Sequence, residues 1–508
     1  MKKSFSIITT AVLFLGTVCL VSCSKNDLPS DSHTSITDSD TTKESGEETS
    51  SQQSYHEQYR PQIHYSPAKN WVNDPNGMVY VDGTWHLYYQ YNPYGNDWGN
   101  MSWGHATSTD LIHWKEQKVA ITKTDLGDIF SGSCIVDKDN VAGFGKNAII
   151  AYYTAASQYQ QQAMAYSTDG GATFVQYSGN PVIPSTKADF RDPKVTYYEP
   201  AKKWIMSLAT GNNHTVEFWS STNLKSWTQE STFTIDNVNS NKGQWECPDL
   251  IKIGDQWVLL VNVNPGGPTL GSACMYFVGQ FDGKNFTVNS DTYPKWVDYG
   301  MDNYAEVTWN NAPDGRLISI SWMNNWQYAG AVPCTPWRSA FSLPKELALT
   351  EYNGEQLLTS KVVKEISTIA GEWKTISDGN VGTTTPYELE ISLPAGCEGS
   401  ITLSNDAGQM LTMDVSSSSK SFVVHRNSKT GVINFGNFSL PSIKAPLFAS
   451  TGEMTFQFYV DNSSVEVIGN DGRMVQTNLF FPQSIYNKVS ISGMKGLIKA
   501  RTLTSIWK

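Results

Sequence analysis

The stretch SWGHATSTDLIHW, residues 102–114, contains a pattern that returns three more times along the chain. A strand-like run is followed by a polar turn, and an aromatic residue closes each copy. The copies recur at intervals of roughly 53 to 60 residues, and four short strands per repeat of this length are typical of β-propeller blades. The later copies are QAMAYSTDGGATF (162–174), TVEFWSSTNLKSW (215–227) and CMYFVGQFDGKNF (274–286).

A fifth repeat is predicted from the runs AEVTWN, RLISISWM and RSAFSLPKEL, which follow the last copy. From about residue 360 the sequence alternates apolar and polar residues, as in YELEISLP and MTFQFYVDN, which indicates the half-buried strands of a β-sandwich. An ordinary β-rich protein with recurring turns is the alternative. The predicted fold class is all-β, with a five-bladed β-propeller over 59–345, a linker over 346–362 and a C-terminal β-sandwich over 363–508.

Length, charge and cysteine usage restrict the function. The 508 residues exceed what one compact core usually holds, which favours two domains. A net charge of −11 without a basic cluster argues against nucleic acid, whereas neutral polymers such as polysaccharides fit. The cysteines beyond the N-terminal segment are widely spaced, so a disulfide scaffold is not indicated. Neither a zinc-type spacing nor a phosphate-binding glycine loop is present, and we expect no metal and no cofactor.

The N-terminus carries a secretion signal. Lys2 and Lys3 precede an apolar run over residues 7–21, which is short and one-sided for a membrane span. The run ends in Leu-Val-Ser-Cys, which resembles a bacterial lipobox with Cys23 as the lipidated residue. We therefore predict a lipoprotein signal peptide over 1–23 and an extracytoplasmic protein anchored to a bacterial membrane. A soluble secreted protein is the alternative.

Residues 24–58 are polar, acidic and rich in Ser and Thr. Such a composition buries too little apolar surface to fold by itself, so we predict a disordered tether between membrane and body.

Three carboxylates beside prolines stand out: Asp74 in WVNDPNG, Asp192 in FRDPK and Glu246 in QWECPDL. Residues 73–77 alone suggest a reverse turn, and an Asp before Pro is more often turn chemistry than catalysis. However, the inner strands of different propeller blades converge on one channel. Acidic residues far apart in sequence therefore meet there, and the three are candidates for a common site.

Several motifs in the propeller region closely resemble those of glycoside hydrolase family 32, the β-fructosidases. They occur in order over residues 62–345, and the only departure noted in the first motif is Val72, where the family usually has Met. The resemblance implies a five-bladed propeller followed by a β-sandwich, in agreement with the repeat analysis. The motifs are NDPNG, YQYNP, WGNMSWGHATSTDLIHW, DIFSGS, FRDPK, WECPDL and SWMNNW.

The resemblance also implies roles. Asp74 matches the nucleophile, Glu246 the general acid/base and Asp192 the transition-state stabiliser of a retaining glycosidase. Aromatic walls are expected from Phe130, Trp322 and Trp326. The residues implied to bind substrate are Asn73, Gln90, Trp98, Phe130, Ser131, Arg191 and Trp322.

The expected function is hydrolysis of β-fructofuranosidic bonds in levan, inulin, fructo-oligosaccharides or sucrose, by a protein that is expected to be a monomer. The retained Asp74, where some endo-acting relatives carry Glu, favours terminal action or levan. An endo-acting levanase at the cell surface, fructosyl transfer, a propeller glycosidase acting on arabinan and an inactive glycan-binding lipoprotein are the alternatives.

Overall fold

The computed structural model describes residues 55–235, 243–289, 293–377, 379–433, 436–440, 442–448 and 452–507. The predicted signal peptide, Cys23 and most of the predicted tether lie outside these ranges. In the described part of the chain, no helix is long and apolar enough to cross a membrane.

Five small antiparallel sheets follow one another along the chain and form the blades of the propeller. Blade one has β1 (Asn70–Val81), β2 (Thr84–Tyr91), β3 (Ser102–Ser108), β4 (Lys115–Glu116) and, from later in the chain, β20 (Trp337–Arg338). Blade two has β5 (Asp128–Asp137), β6 (Ala148–Ala156), β7 (Gln160–Ser167) and β8 (Val175–Gln176), and blade three has β9 (Arg191–Tyr198), β10 (Lys203–Thr210), β11 (Thr215–Ser221) and β12 (Thr228–Phe233). Blade four has β13 (Gln244–Ile253), β14 (Gln256–Asn264), β15 (Ala273–Phe281), β16 (Phe286–Val288) and β17 (Lys295–Trp296), and blade five has β18 (Tyr304–Thr308), β19 (Ile318–Trp322), β21 (Lys345–Tyr352) and β22 (Glu355–Val362).

In blades two and four the second strand is almost continuously apolar. β6 reads AIIAYYTAA and β14 reads QWVLLVNVN, and nearly every residue in both is buried. A strand covered on both faces by neighbouring blades has no polar side to present, so it forms a continuous apolar run instead of alternating. The buried side chains of these strands form the hydrophobic core between neighbouring blades.

The innermost strands form a ring around the axis, with β1 packed on β5, β5 on β9, β9 on β13, β13 on β18 and β18 on β1. The ring is tied by the short strand β20, which pairs in parallel with the start of β1, Asn70 opposite Trp337 and Trp71 opposite Arg338. The first blade is thus completed by residues that come between two strands of the fifth.

All five innermost strands interrupt their regular pairing near the same end of the ring. A β-bulge inserts extra residues on one strand, bends it and re-aims its side chains, and bulges are common beside active sites. The irregular pairings fall between Val72 and Pro75, Ile129 and Gly132, Arg191 and Lys194, Glu246 and Asp249, and Tyr304 and Val307.

The segment Asn73–Gly77 corrects the reverse-turn expectation, because it lies inside β1 as bulged strand. Gly77 adopts a left-handed φ of +60°, and a Cβ there would lie 2.6 Å from the Trp103 ring and 2.9 Å from the Tyr88 ring. The turn-type residues therefore serve to bend a strand and to let two aromatic rings approach its backbone.

Residues 346–362, which were predicted as a linker, are β21 and β22, the outer strands of the fifth blade. A hairpin turn at Asn353 and Gly354, both with positive φ, joins them. This is the Asn-Gly signal of a two-residue hairpin.

The remaining strands form two six-stranded antiparallel sheets that pack face to face as a β-sandwich. One sheet has β23 (Lys374–Ile376), β25 (Tyr387–Leu393), β30 (Met454–Val460), β31 (Ser464–Gly469), β32 (Met474–Leu479) and β34 (Leu497–Thr502); the other has β24 (Gly379–Asn380), β26 (Glu398–Ser404), β27 (Met410–Ser416), β28 (Ser421–His425), β29 (Ile443–Pro446) and β33 (Lys488–Ser492). Short 3-10 helices within the described ranges are Glu199–Ala201, Gly211–Asn213, Pro313–Gly315, Ala329–Ala331, Lys364–Ile369, Gly436–Phe438 and Asn470–Gly472.

Buried ion pairs join the propeller to the sandwich. Asp302 of the propeller pairs with Arg426 of the sandwich at 2.7 Å, and Lys345 pairs with Glu466 at 2.6 Å. His64 lies between Asp461 and Glu466, with each ring nitrogen 2.8 Å from a carboxylate oxygen. Buried charges require such partners, so the relative position of the two domains is fixed by complementary polar groups.

Candidate active site

A cavity of about 340 Å³ opens at the end of the ring where the innermost strands are bulged. It collects side chains from four blades and from the loop that follows β19. Its lining residues are Asn73, Asp74, Gln90, Trp98, Phe130, Ser131, Gln160, Asp189, Arg191, Asp192, Glu246 and Trp326.

Asp74 is held by donors on both carboxylate oxygens. The Ser131 hydroxyl donates to Oδ2 at 2.7 Å, and the Asn73 side-chain amide donates to Oδ1 at 3.0 Å. Trp71 in turn donates its indole N–H to the Asn73 side-chain oxygen at 2.8 Å, which fixes the amide in its donating orientation. These contacts orient Asp74 towards the cavity and stabilise its ionised form.

Asp192 has a left-handed backbone, with φ of +66°, and so does Cys247, with φ of +45°. Non-glycine residues in this region are uncommon and are held there by their surroundings. The Cys247 backbone N–H donates to Asp192 Oδ2 at 2.8 Å, and Thr154 is hydrogen-bonded to the Asp192 backbone N–H at 3.0 Å. The two bulged strands β9 and β13 thus support each other's unusual conformation.

The Cys247 thiol lies between two of the carboxylates, with Sγ 3.7 Å from Asp74 Oδ2 and 3.6 Å from Asp192 Oδ2. Burial, followed by the charges of Asp192, Asp74 and Glu246, raises the pKa of Cys247 well above the ordinary thiol value. The sulfur therefore keeps its proton and acts as a weak donor between two anions.

Glu246 is anchored from two sides. Arg191 donates its Nε–H to Oε1 at 3.0 Å, and Tyr304 donates its hydroxyl to Oε2. Both donors leave the carboxyl group facing the cavity, where its side chain keeps 19% of its exposure. The acid/base candidate is thus fixed in position and reachable by a ligand.

Arg191 is itself held as a fork by three polar side chains from neighbouring elements. Its terminal nitrogens donate to Gln244 at 2.6 Å, to Gln160 at 3.2 Å and to Asp189 at 3.1 Å. A planar guanidinium fixed in this way positions Glu246 with little conformational freedom.

Crowding of acidic groups changes their proton affinity. Burial raises the pKa of Asp192 to about 7. The charge of Arg191 opposes this rise, whereas the charges of Glu246 and Asp74 add to it. Burial and then the charge of Glu246 also raise the pKa of Asp74, although its hydrogen bonds lower it. Like charges in one low-dielectric site cannot all ionise together, so the cluster retains a proton near neutral pH.

The apolar walls come from three aromatic side chains. Trp98 is 51% exposed and meets Phe130 edge-on, with ring centroids 6.1 Å apart. Trp326 forms the third wall. Trp322, predicted as a wall, is fully buried and packs behind Trp326 at 4.9 Å between centroids, so it supports the wall instead of lining the cavity.

Apart from Trp322, all residues predicted to act on or bind the substrate line this one cavity. Sequence reasoning missed Gln160 and Asp189 on the Arg191 side and Tyr304 on the Glu246 side. Asp189 lies three residues before Asp192 and was accessible as an extension of the FRDPK motif, whereas the sequence around Gln160 and Tyr304 carries no comparable signal.

Within the described ranges, no group of three or more His, Cys, Asp or Glu side chains is placed to hold a metal ion. The cavity instead combines carboxyl groups with amides, a hydroxyl and aromatic faces. Such a set suits a neutral polyhydroxylated ring, and its paired carboxylates suit acid/base and nucleophilic chemistry at an acetal carbon.

Comparison with known proteins gives consistent matches. Residues 64–360 match the model of the "Glycosyl hydrolases family 32 N-terminal domain", and residues 353–507 match that of the "Glycosyl hydrolases family 32 C terminal".

Individual relatives cover most of the chain. A levanase of Bacillus subtilis is 41% identical over 480 residues, covering 89% of this chain and 70% of its own. An extracellular exo-inulinase of Aspergillus ficuum is 37% identical over 489 residues, covering 85% of this chain and 91% of its own. The crystal structure of exo-inulinase from Aspergillus awamori superposes with a TM-score of 0.83 at 34% identity, covering 89% of this chain and 100% of that one.

Proposed function

Because the chain belongs to glycoside hydrolase family 32, we propose that Asp74, Asp192 and Glu246 are the catalytic groups of this β-fructofuranosidase. The enzyme is a glycosidase that hydrolyses β-fructofuranosidic bonds in fructans or sucrose. The observation that carries the assignment is that the three carboxylates lie on bulges of three different innermost strands and line one cavity.

In the first step Asp74 attacks the anomeric carbon C2 of the fructosyl unit. The bond from C2 to the leaving oxygen breaks, its electron pair goes to that oxygen, and Glu246 supplies the proton. The product is a fructosyl ester of Asp74. Donation from Ser131 and Asn73 keeps Asp74 aimed at the cavity for this attack.

In the second step the Glu246 carboxylate takes a proton from water, and the water oxygen attacks C2. Asp74 leaves as a carboxylate, and configuration at C2 is retained. Arg191 and Tyr304 hold Glu246 through both steps, since each donates to a different carboxylate oxygen.

Asp192 stabilises the positive charge that develops on the ring and accepts hydrogen bonds from fructose hydroxyls. Its own fixed donor, the Cys247 backbone N–H, leaves capacity on the carboxylate for such contacts. Asn73, Gln90, Arg191 and the aromatic walls provide the remaining binding surface.

The test compares Asp74→Asn, Glu246→Gln and, as the matched control, Asp255→Asn, an exposed carboxylate outside the cavity. We expect the first two to lose at least about 10³-fold in kcat on sucrose and levan, while the control keeps wild-type activity. Addition of azide should restore turnover to Asp74→Asn with inverted product if Asp74 is the nucleophile. Near-normal turnover in either variant would reassign that carboxylate.

We further propose that the enzyme releases terminal fructose. The cavity volume of about 340 Å³ is at the small end of ligand pockets, which favours one terminal unit over a passing chain. Early product profiles on levan, inulin and sucrose test this: free fructose alone supports terminal release, and a ladder of oligosaccharides supports internal cleavage.

For location, we propose an extracytoplasmic enzyme anchored by lipid on Cys23, with residues 24–54 as the tether. The predicted tether ends earlier than residue 58, because Tyr55 stacks on Trp507 and Glu57 pairs with Arg60 of the folded body. The N-terminal sequence supports the anchor, and the exo-inulinase relative is described as extracellular. Cys23→Ala should move the protein from the membrane fraction to the soluble fraction. Continued membrane association of that variant would overturn the lipid anchor.

We also propose that the sandwich braces the propeller and that the enzyme acts as a monomer. The buried pairs Asp302–Arg426 and Lys345–Glu466 support bracing, and one chain supplies the whole catalytic set. Light scattering of the purified protein tests the monomer.

A further inference from the structure

A second cavity, of about 660 Å³, opens at the opposite end of the propeller. It lies where β5 and β9 end and beside the segment that follows β18, and we call it the distal cavity. Ser131, at the catalytic end of β5, and Asp137, at the distal end, are six residues apart, which is about 20 Å along a strand. The distal cavity is therefore a separate surface. Its lining residues are 135–139, 141, 195–197, 199, 202, 204, 222, 310 and 311.

An aromatic pair lines this cavity. Tyr197 on β9 and Trp204 on β10 are cross-strand partners whose ring centroids lie 4.8 Å apart. Tyr197 is 41% exposed, although it lies within a blade, while Trp204 is half-buried against the core between blades two and three. Rings held on a sheet offer a rigid apolar surface with a polar edge, and a ligand orders them at little entropic cost.

The polar lining of the distal cavity is balanced in charge. Lys138, Asp139, Glu199 and Lys202 are all exposed, and within the described part of the chain none of these four has a side-chain hydrogen bond or ion pair. Asp137 is buried, and its carboxylate oxygens accept the backbone N–H groups of the following loop. Because two unpaired cationic side chains balance two unpaired anionic ones, the cavity is suited neither to an anionic ligand nor to a metal ion.

Thr196, Thr222, Asn310 and Asn311 add neutral polar residues to the same lining. The Asn310 and Asn311 amides are held in place by donating to the backbone carbonyls of Cys134, Val195 and Tyr80. Donors and acceptors arranged beside an aromatic face are complementary to sugar rings, which carry hydroxyls around an apolar ring.

We propose that the distal cavity is a second carbohydrate-binding site, which holds a neutral fructan chain away from the catalytic pocket. The fructan is taken from the enzyme's substrate class, and the site itself does not depend on which carboxylates are catalytic. Two sites on one protein raise the effective concentration of a polymer at the first, whereas a disaccharide gains nothing. The distal cavity therefore increases the affinity of the enzyme for polymers and leaves its affinity for disaccharides unchanged.

The test measures retardation by levan and by inulin in affinity gel electrophoresis, using full-length protein with Asp74→Ala so that polymer is not consumed. Two added changes act on the distal cavity: Tyr197→Ala removes the exposed ring, and Thr222→Arg fills the cavity from an exposed position. We expect each to weaken retardation at least about fivefold. With the active Asp74, we expect sucrose turnover to stay within about twofold.

Trp373→Ala is the matched control, since it removes an exposed aromatic ring from the sandwich. Retardation equal to the parent in both cavity variants overturns the proposal, and so does an equal loss in the control. Sugar released in the gel reports separately on the catalytic assignment. If it appears, the comparison is repeated with Glu246→Ala, so that failure of one proposal is distinguished from failure of the other.

Discussion

Tyr304, on the innermost strand of blade five, donates its hydroxyl proton to Glu246, on the innermost strand of blade four. The donor is fully buried, and its ring meets Trp322 at 6.4 Å between centroids. This contact crosses from one blade to the next, so the acid/base is positioned by a neighbouring blade as well as by its own.

Tyr304→Phe keeps the ring and removes only the donor. We expect kcat to fall about tenfold with little change in KM, because the contact positions a proton-transfer group. An unchanged kcat in this variant would assign Tyr304 a packing role only.

Asp192→Asn should change both rate and pH dependence. Burial raises the pKa of Asp192 to about 7, with the neighbouring carboxylates adding to it, and Asp192 must be ionised to stabilise positive charge, so wild-type activity should rise as pH rises through this region. An amide at position 192 cannot ionise, so this rise should be absent in the variant, while kcat/KM falls at least about 10²-fold. Initial rates from pH 4 to 9 measure both effects.

His64 should make stability depend on pH. Burial alone would lower its pKa, but the hydrogen bonds and charges of Asp461 and Glu466 raise it to about 9. A raised folded pKa gives stability that is complete below the unfolded value near 6.5 and is lost as pH rises through 9, on the order of 3 kcal/mol. Urea unfolding should show this decline in the wild type.

His64→Gln is the comparison for that experiment. The variant should be less stable than wild type at pH 6, and its stability should change less between pH 6.5 and 9. Parallel curves for the two proteins would mean that other groups set the pH dependence.

Arg426→Met breaks the buried pair with Asp302 and leaves a carboxylate without its charge partner. We expect a loss of about 3–5 kcal/mol in the free energy of unfolding. Lys488→Met breaks the exposed pair with Asp406 and is the matched control, expected to cost less than about 1 kcal/mol. Denaturant unfolding distinguishes the two, and equal costs would contradict the importance of burial at this interface.

Gly77→Ala should disturb the site through the strand that carries Asp74. The new Cβ would enter the space of the Trp103 and Tyr88 rings, and we expect a cost of about 2–4 kcal/mol together with a clear fall in kcat. Gly83→Ala is the control: its φ is +83°, but no atom lies within 4 Å of the added Cβ. Similar melting temperatures and rates for both variants would show that the loss comes from the positive φ and not from contact of the new Cβ with the two rings.

The repeat spacing predicted the blades because each copy pairs a strand with a closing aromatic, and this pattern is local. The carboxylates were accessible for the same reason: each lies in a short motif beside proline. The outer strands of blade five were missed because their sequences, KELALTEY and EQLLTSKV, are rich in charged and polar residues, although the Asn353-Gly354 turn between them was a readable signal.

Other features depend on long-range packing. Tyr304 is one of 24 tyrosines, and nothing in its surrounding sequence separates it from a core residue. Trp322 and Trp326 belong to one motif, yet β19 ends at the first and the second lies on the loop beyond, which alone decides which one faces the cavity. The bulges that aim the catalytic candidates are likewise visible only in the pairing of strands.

The parallel pairing of β20 with β1 sets an order of events during synthesis. Asn70 and Trp71 leave the ribosome early, but their partners Trp337 and Arg338 follow more than half the chain later. Until then the start of β1 is an unpaired edge, open to pairing with another chain. The first blade to be made is therefore completed only after the second, third and fourth, and a nascent chain stopped before Trp337 exposes the strand that carries Asp74.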